Sequence, residues 1–419
     1  MQNVLFFIFR LYGGGAERVV SNLSMAFSGH YNVKVAVYDN QEKTYTYKGE
    51  LIRIKLPFSS DPTRNNRWQR MVRLVVLTYK VRKIKRQHKI DVAISFAEQA
   101  NIVNILTKGR SRTLISVRTL LSKELDSTPK MRILGHFIRL LYNRAQQIIL
   151  PSELAALDLQ DYFHIKPDKL KVIYNYIERE KINVMSAESI DDPFLHSLFN
   201  QPVLLNVGRI TAAKGQWLLF DVMKKIKPHH PGWKLVIIGE SETEGNLKKR
   251  LLKLADQLEL KIFEYGGVQN PSLDYDIYLL GYHANPYKYM HRSRMLVFPS
   301  VYEGFPNTVL EAMQSGLPVV VADCKSGPRE ILAPQSEFSI KTVKAELTEF
   351  GILCPPLTEA DISIPVPSWI TDEWIHAIDR VMNEENLRDQ LIRHGYDRVG
   401  DFEKAAILSD WKKSIDGIY

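Results

Sequence analysis

Along the chain, short runs of apolar and β-branched residues alternate with longer stretches in which apolar positions recur every three or four residues. The runs predict strands at 3–9, 33–38, 51–55, 91–96, 112–117, 147–150 and 170–173. Helical spacing falls among them at 16–28, 66–87, 99–108, 130–145 and 152–162. After a looser polar stretch the alternation restarts, with strands at 203–207, 234–238, 277–280, 295–299 and 318–322. Helices are predicted there at 214–227, 245–258 and 307–314. Strands apolar on both faces and separated by helices belong to parallel sheets covered on both sides. The pattern therefore predicts an α/β chain of two doubly wound, Rossmann-like domains. The first spans 1–180, a linker containing Asp191-Asp192-Pro193 spans 181–199, and the second spans 200–401. Residues 261–276 read as an insertion, and 334–350 and 355–370 as irregular loops.

Composition narrows the class. The 419 residues suit two domains of roughly 200. With 45% hydrophobic and 25% charged residues, wholesale disorder and fibrous repeats are excluded. Two cysteines, Cys324 and Cys354, cannot build a disulfide framework, which fits a reducing compartment. The apolar run Val4–Phe9 is too short for a signal segment and reads as a buried first strand. No run of 18 apolar residues occurs, so the expected location is cytoplasmic, at most lying on a membrane. The net charge of +9 is uneven. Residues 1–180 carry 30 basic and 15 acidic side chains, the remainder 26 and 32. The surplus belongs to the first domain and calls for an acidic partner or surface there.

Ligands of open parallel sheets sit beyond the carboxyl ends of strands, so the loops after strands are the place to seek chemistry. Gly13-Gly14-Gly15-Ala16-Glu17-Arg18 follows the first strand and opens a helix whose free N–H groups favour an anion. A dinucleotide reading is open, with Asp39 at the end of the next strand, but Arg18 occupies the third glycine position. An anion or sugar-phosphate loop through Gly14 and Gly15 fits better. Gly208-Arg209-Ile-Thr-Ala-Ala-Lys214 places two cations around a strand-to-helix turn, where both can meet one diphosphate. In Glu303-Gly304-Phe305-Pro306-Asn307-Thr308-Val-Leu-Glu311 a turn opens a helix, with amide groups exposed between two acids.

This last stretch resembles the E-x(7)-E element of family-4 glycosyltransferases, the retaining, sugar-nucleotide-dependent enzymes of GT-B fold. The glycine loop, the Arg209/Lys214 pair and the two glutamates occur in that family's order. Gly281-Tyr282-His-Ala-Asn285-Pro-Tyr and Asp323-Cys-Lys-Ser-Gly-Pro-Arg329-Glu330 resemble a bacterial branch building surface polysaccharides (capsule, O-antigen, lipopolysaccharide) or lipid-linked glycans. The resemblance implies two domains facing across a cleft, with a final helix within 402–419 crossing back onto the first. It also implies transfer of a hexose or N-acetylhexosamine (GalNAc, Gal, GlcNAc or Glc) from a UDP-sugar to a lipid-linked acceptor, without a metal. Arg209 and Lys214 would neutralise the departing diphosphate, Glu311 would hold the ribose, and Glu303 would contact the donor sugar. Gly208, Gly304, Phe305, Pro306, Asn307 and Thr308 would surround them, and Gly281, Tyr282 and Asn285 would lie near the base. Retention leaves two routes open, front-face displacement and a double displacement with a carboxylate nucleophile. Where many members have a histidine at the end of a strand of the first domain, this chain has Arg118, which can supply charge but not shuttle a proton.

Other signals point elsewhere. Asp274-Tyr275-Asp276 is a D-x-D, the metal motif of a different glycosyltransferase fold, and reads as chance. The histidines show no metal spacing. Residues 64–89 hold ten Lys/Arg and no acid, predicting a helix with an apolar face on the domain and a cationic face outside. A second such helix spans 130–144, with Lys130, Arg132, Arg139 and Arg144. Basic amphipathic helices attract anionic membrane surfaces, and no nucleic-acid recognition motif accompanies them. The expected location is peripheral, on the inner face of the cell membrane. A non-catalytic scaffold tethered to a membrane and a sugar-nucleotide epimerase are the alternative readings.

Overall fold

The computed structural model describes residues 1–12, 14–38, 45–59, 65–125, 129–241, 247–268 and 270–418, with 124–125 and 129–134 described by backbone alone. The chain divides into two compact units, Met1–Asn175 with Ala405–Tyr419, and Tyr176–Lys404.

The first unit runs β1 (Asn3–Ile8), α1 (Gly15–Phe27), β2 (Asn32–Val37), β3 (Glu50–Arg53), α2 (Arg67–Gln87), β4 (Val92–Phe96) and α3 (Glu98–Leu106). It continues with β5 (Arg112–Ser116), α4 (Leu121–Leu125), α5 (Pro129–Leu141), β6 (Gln147–Leu150), α6 (Glu153–Phe163) and β7 (Leu170–Val172). The seven strands are parallel and ordered β3-β2-β1-β4-β5-β6-β7. β1, β4 and β6 are almost wholly buried, as strands covered by helices on both faces must be.

In the second unit, α7 (Arg179–Ser186) and α8 (Pro193–Leu198) come first. The stretch expected as a linker is thus folded: Asp192 caps α8 by accepting from the amides of Phe194 and Leu195, and Pro193 sits at its first position. There follow β8 (Val203–Val207), α9 (Trp217–Ile226), β9 (Lys234–Ile238), α10 (Leu247–Gln257), β10 (Ile262–Glu264), β11 (Ile277–Gly281) and α11 (Tyr287–Met290). Next are β12 (Met295–Phe298), α12 (Asn307–Gln314), β13 (Val319–Ala322), α13 (Pro328–Leu332), β14 (Glu346–Leu347) and β15 (Ile352–Cys354). The chain closes with α14 (Ser368–Asn383), α15 (Glu385–Val399) and α16 (Lys404–Asp416). The sheet order is β10-β11-β9-β8-β12-β13-β15-β14, parallel except for β14 against β15. Residues 261–276 are therefore no insertion, because β10 forms the sheet's edge. The supposed loop 334–350 supplies the opposite edge through β14.

α16 packs on the first unit. Trp411 stacks on Phe96 with ring centres 6.1 Å apart, Tyr31 Oη donates to Asp416 at 2.8 Å, and Arg112 donates to the carbonyls of Ser414 and Ile415.

The outer face of α2 differs from expectation. Leu77, Val81 and Ile84 face the core, but Trp68, Met71, Val75 and Tyr79 are 62–67% exposed. Their spacing of three or four residues puts them in one stripe, among the cations rather than beneath the helix. Apolar residues in this segment surround the helix, so periodicity alone does not say which ones stay outside.

Candidate functional site

The second sheet reverses its strand order between β8 and β12, and open parallel sheets take ligands at such switch points. The loops leaving these two strands carry the predicted residues. Gly215 has φ +62°, and a Cβ there would lie 2.4 Å from the carbonyl oxygen of Pro299. Only glycine lets the turn Ala212–Lys214 rest on the end of β12, where Val301 N–H donates to Ala213 O at 2.8 Å. Gln216, fully buried, donates to the carbonyl of Arg209 at 2.9 Å and fixes the other side of the loop.

The result brings Lys214 to Glu303. Lys214 Nζ lies 2.5 Å from Glu303 Oε1 and 4.9 Å from the centre of the Phe298 ring. Both side chains are largely covered, at 21% and 12% exposure. An ammonium carries three donors, so Lys214 can hold Glu303 and still offer N–H to an anion. The Glu303 loop is held by its own amide on Lys325 O, at 3.2 Å, and by Ser326 Oγ donating to Gly304 O at 2.9 Å. Arg209, on the same loop as Lys214, is exposed.

Glu311 sits on the second turn of α12 and is only 9% exposed. Tyr287 Oη donates to its Oε1 at 3.3 Å. Phe305 and Pro306 are buried, the Phe305 ring 5.6 Å from that of Phe402. The Asn307 amide, expected to face a ligand, donates to Phe305 O at 3.1 Å and shapes the turn. Gly304 and Thr308 are half-buried beside it.

Three glycines line the carboxyl edge of neighbouring strands. Gly208 N–H donates to Ile238 O at 2.9 Å, and Gly239 N–H donates to Gly281 O at 2.8 Å. A Cβ on Gly239 would come within 2.0 Å of Gly208 O, so no side chain fits there. Gly239 and Gln216 escaped sequence reasoning because their partners are distant in the chain. Of the predicted base-side residues, Tyr282 is exposed, whereas Asn285 is occupied structurally. Its amide donates to Met185 O and Glu188 Oε2, both at 2.8 Å, and its oxygen accepts from Tyr287 N at 3.0 Å.

The motif Asp323–Glu330 is a buried ion network. Arg329 is bidentate on Asp323, with contacts from 2.6 to 3.2 Å, and reaches Glu346 at 2.7 Å. Burial alone would lower the Arg329 pKa, but the hydrogen bonds and charges of Glu346 and Asp323 outweigh it and hold the group protonated. In the D-x-D, Asp276 is buried against Lys227 at 2.7 Å and the Lys261 amide at 2.8 Å, and Asp274 closes a local turn with Ser272. Among the described residues no cluster of His, Cys, Asp and Glu has the makings of a metal site.

In the first unit Gly14 caps α1 in extended conformation, and Gly15 is exposed. Gly13 and Asp39 lie outside the described residues, as do the side chains of Lys130 and Arg132. Glu17, in the first turn of α1, is paired with Arg10 at 3.1 Å. Arg118 follows β5, and its guanidinium donates to Asn175 Oδ1. Burial pulls its pKa down to about 10.

Comparison with known proteins places these features. Residues 13–181 match the model of Glycosyltransferase Family 4, and residues 194–349 that of Glycosyl transferases group 1. An uncharacterized glycosyltransferase of Methanocaldococcus jannaschii is 30% identical, over 88% of this chain and 90% of its own. A Campylobacter jejuni enzyme is also 30% identical over the full length of both chains. It is named N-acetylgalactosamine-N,N'-diacetylbacillosaminyl-diphospho-undecaprenol 4-alpha-N-acetylgalactosaminyltransferase. Among solved structures, Anabaena Alr3699/HepE in complex with UDP aligns over the whole of both chains with TM-score 0.70 and 17% identity.

Proposed function

The chain belongs to the family-4 glycosyltransferases and has the GT-B fold, and on that footing we propose that it transfers a hexose or N-acetylhexosamine, with retention, from a UDP-sugar to a lipid-linked glycan. The observation that carries this reading is the Lys214–Glu303 pair at the switch point of the second sheet, with Glu311 eight residues further along on α12. Lys214 and the neighbouring Arg209 neutralise the diphosphate as charge develops on it, the electrostatic contribution that dominates such reactions. Glu311, steadied by Tyr287, accepts hydrogen bonds from the ribose hydroxyls, and Glu303 orients the sugar. Gly239 lets the strand ends pack close together, and the open space at Gly281 leaves room for a nucleoside to lie close to the backbone.

A carboxylate already neutralised by an ammonium at 2.5 Å is a weak nucleophile, which favours the front-face route. The bond from C1 to the diphosphate oxygen breaks while a bond from C1 to the acceptor oxygen forms on the same face. The departing phosphate oxygen takes the acceptor's proton. No metal is needed for this chemistry, since cationic side chains face the diphosphate.

The acceptor class rests on the relative from Campylobacter jejuni, whose name specifies a diphospho-undecaprenol glycan. No described helix is long and apolar enough to cross a membrane. A peripheral location on the inner membrane face is supported by α2, whose exposed stripe of Trp68, Met71, Val75 and Tyr79 lies among Lys and Arg. Anionic lipid headgroups suit the cations, and the stripe suits the acyl boundary.

UDP at millimolar concentration should raise the melting temperature of the protein. A UDP-sugar panel with diphospho-undecaprenol glycans should then yield product with unchanged anomeric configuration, in EDTA as in buffer. Absence of any UDP shift would favour a non-catalytic scaffold, and manganese-dependent turnover would remove the metal-free assignment. Changing Arg82, Lys83 and Arg86 to Gln should release the protein from anionic vesicles. Lys85 is left in place because its side chain is buried. Unaltered vesicle binding would end the membrane reading.

A further inference from the structure

Among the described residues, no acid lies beside the cation Arg118. Its Nη2 donates to Asn175, while Nη1 is closed off from solvent and has no hydrogen-bond partner among the described residues. The hydroxyl of the next residue, Thr119, is in the same condition. The downward pull on the Arg118 pKa, to about 10, comes from burial alone, with no carboxylate opposing it. The group therefore remains protonated at neutral pH, half-buried, with one nitrogen shut off from solvent and no counter-charge among the described residues. Buried charges are ordinarily paired, and a native orphaned donor calls for an explanation. The contrast inside this chain is direct, since Arg329 satisfies the same need with two carboxylates.

Position supplies the explanation. Leu114, Ile115 and Ser116 of β5 are fully buried, so the strand delivers Arg118 to its carboxyl end on a rigid support. Such ends are where parallel sheets receive ligands. A planar guanidinium with a free nitrogen, flanked by a hydroxyl, matches two oxygens of a carboxylate or a phosphate.

We propose that Arg118 and Thr119 form an oxyanion site in the first unit that binds a carboxylate or phosphate group of a substrate. The proposal deepens the transferase reading given above and rests on it. Two sources carry this chemistry: a sugar acid, through its carboxylate, and a diphosphate-linked acceptor, through its phosphates.

The test uses the full chain saturated with UDP, so that the diphosphate site of the second unit is filled. Glucuronate is compared with glucose, and geranyl diphosphate with geraniol, by thermal shift and calorimetry, for wild type and Arg118→Gln. One anion of the two should bind the wild type and its neutral counterpart should not. Arg118→Gln should weaken that binding at least tenfold and leave the UDP-induced shift unchanged. Binding of glucuronate identifies a sugar acid, and binding of geranyl diphosphate identifies the acceptor. If neither anion binds, or if Arg118→Gln binds it equally well, the proposal is overturned. Should the glutamine variant fail to fold, Arg118→Lys serves in its place, with charge kept and the planar fork lost, and a loss of at least threefold is expected. Loss of the UDP shift in the wild type itself would count against the donor reading, whereas the Arg118-dependent anion binding is read separately.

Discussion

The two units treat their buried cations differently. In the second, Lys214 lies on Glu303, Arg329 on Asp323 and Glu346, and Arg388 on Glu385. Lys234 rests on two carbonyls, but with Asp276 close enough to offset part of its burial. In the first, among the described residues, Lys34 is paired with Glu50 and the half-buried Arg10 with Glu17. Arg73 donates to the carbonyls of Pro57 and Phe58, Lys85 to Asn104 and Thr107, and Arg118 to Asn175. The uneven charge of the sequence thus reaches into the interior. Among the described residues, the second unit sets its covered cations mostly against carboxylates, whereas the first rests Arg73, Lys85 and Arg118 on neutral oxygens.

The comparison breaks most sharply at Arg329. Asp323→Asn leaves that guanidinium buried with half its counter-charge, and breaking such a pair costs about 3–5 kcal/mol. Denaturant unfolding of the second unit should show a loss of that order, and a change below about 1 kcal/mol would mean that the network contributes little. Lys214→Ala should lower turnover by about 10²–10³-fold, the usual effect of removing one preorganised donor to developing charge. Glu311→Ala should do the same through donor binding. Wild-type turnover at limiting donor in either variant would dismiss the site.

Lys85 sharpens the contrast through pH. Burial, helped by Arg82, lowers its pKa from 10.5 to about 7. Below pH 7 the folded and unfolded chains both hold the proton, and the folded state bears the full cost of the buried charge. Between pH 7 and 10.5 the unfolded chain binds a proton that the folded one has released. Stability from this residue therefore rises with pH over that window, by up to about 1.4 kcal/mol per unit. Measured against Lys85→Met at pH 6 to 9, the wild type should gain steadily above pH 7. A difference independent of pH would show that the amine does not titrate there.

Much of this architecture was legible. Strands such as Val92–Phe96, Val203–Val207 and Val319–Ala322 announce themselves because burial on both faces demands unbroken apolar runs. β10 escaped because an edge strand beside Lys261, and itself ending in Glu264, carries no such demand. α14 was legible in principle, since Trp374, Ala377, Ile378 and Val381 have helical spacing and are buried. Its start was hidden by the Pro-rich segment before it. At the site, the spacing of Glu303 and Glu311 and the Arg209/Lys214 turn were readable because they are local. The Gly239 approach, the Gln216 clamp and the Tyr287 hydroxyl depend on chain-distant neighbours that spacing does not reveal. Asn285 reads ambiguously for a related reason: an amide side chain serves a ligand or a helix start equally well, and its observed contacts are to Met185, Glu188 and Tyr287.

The placement of α16 has a consequence in time. The first unit is discontinuous in the chain, and its Phe96 ring waits for Trp411. During synthesis at roughly 5–20 residues per second, the intervening segment takes on the order of tens of seconds to emerge. For that interval the nascent first sheet exists without its last helix, with the seat of Trp411 open. The second unit, encoded without interruption, has every residue it needs before the first does. The domain that begins the chain is thus the last to be finished.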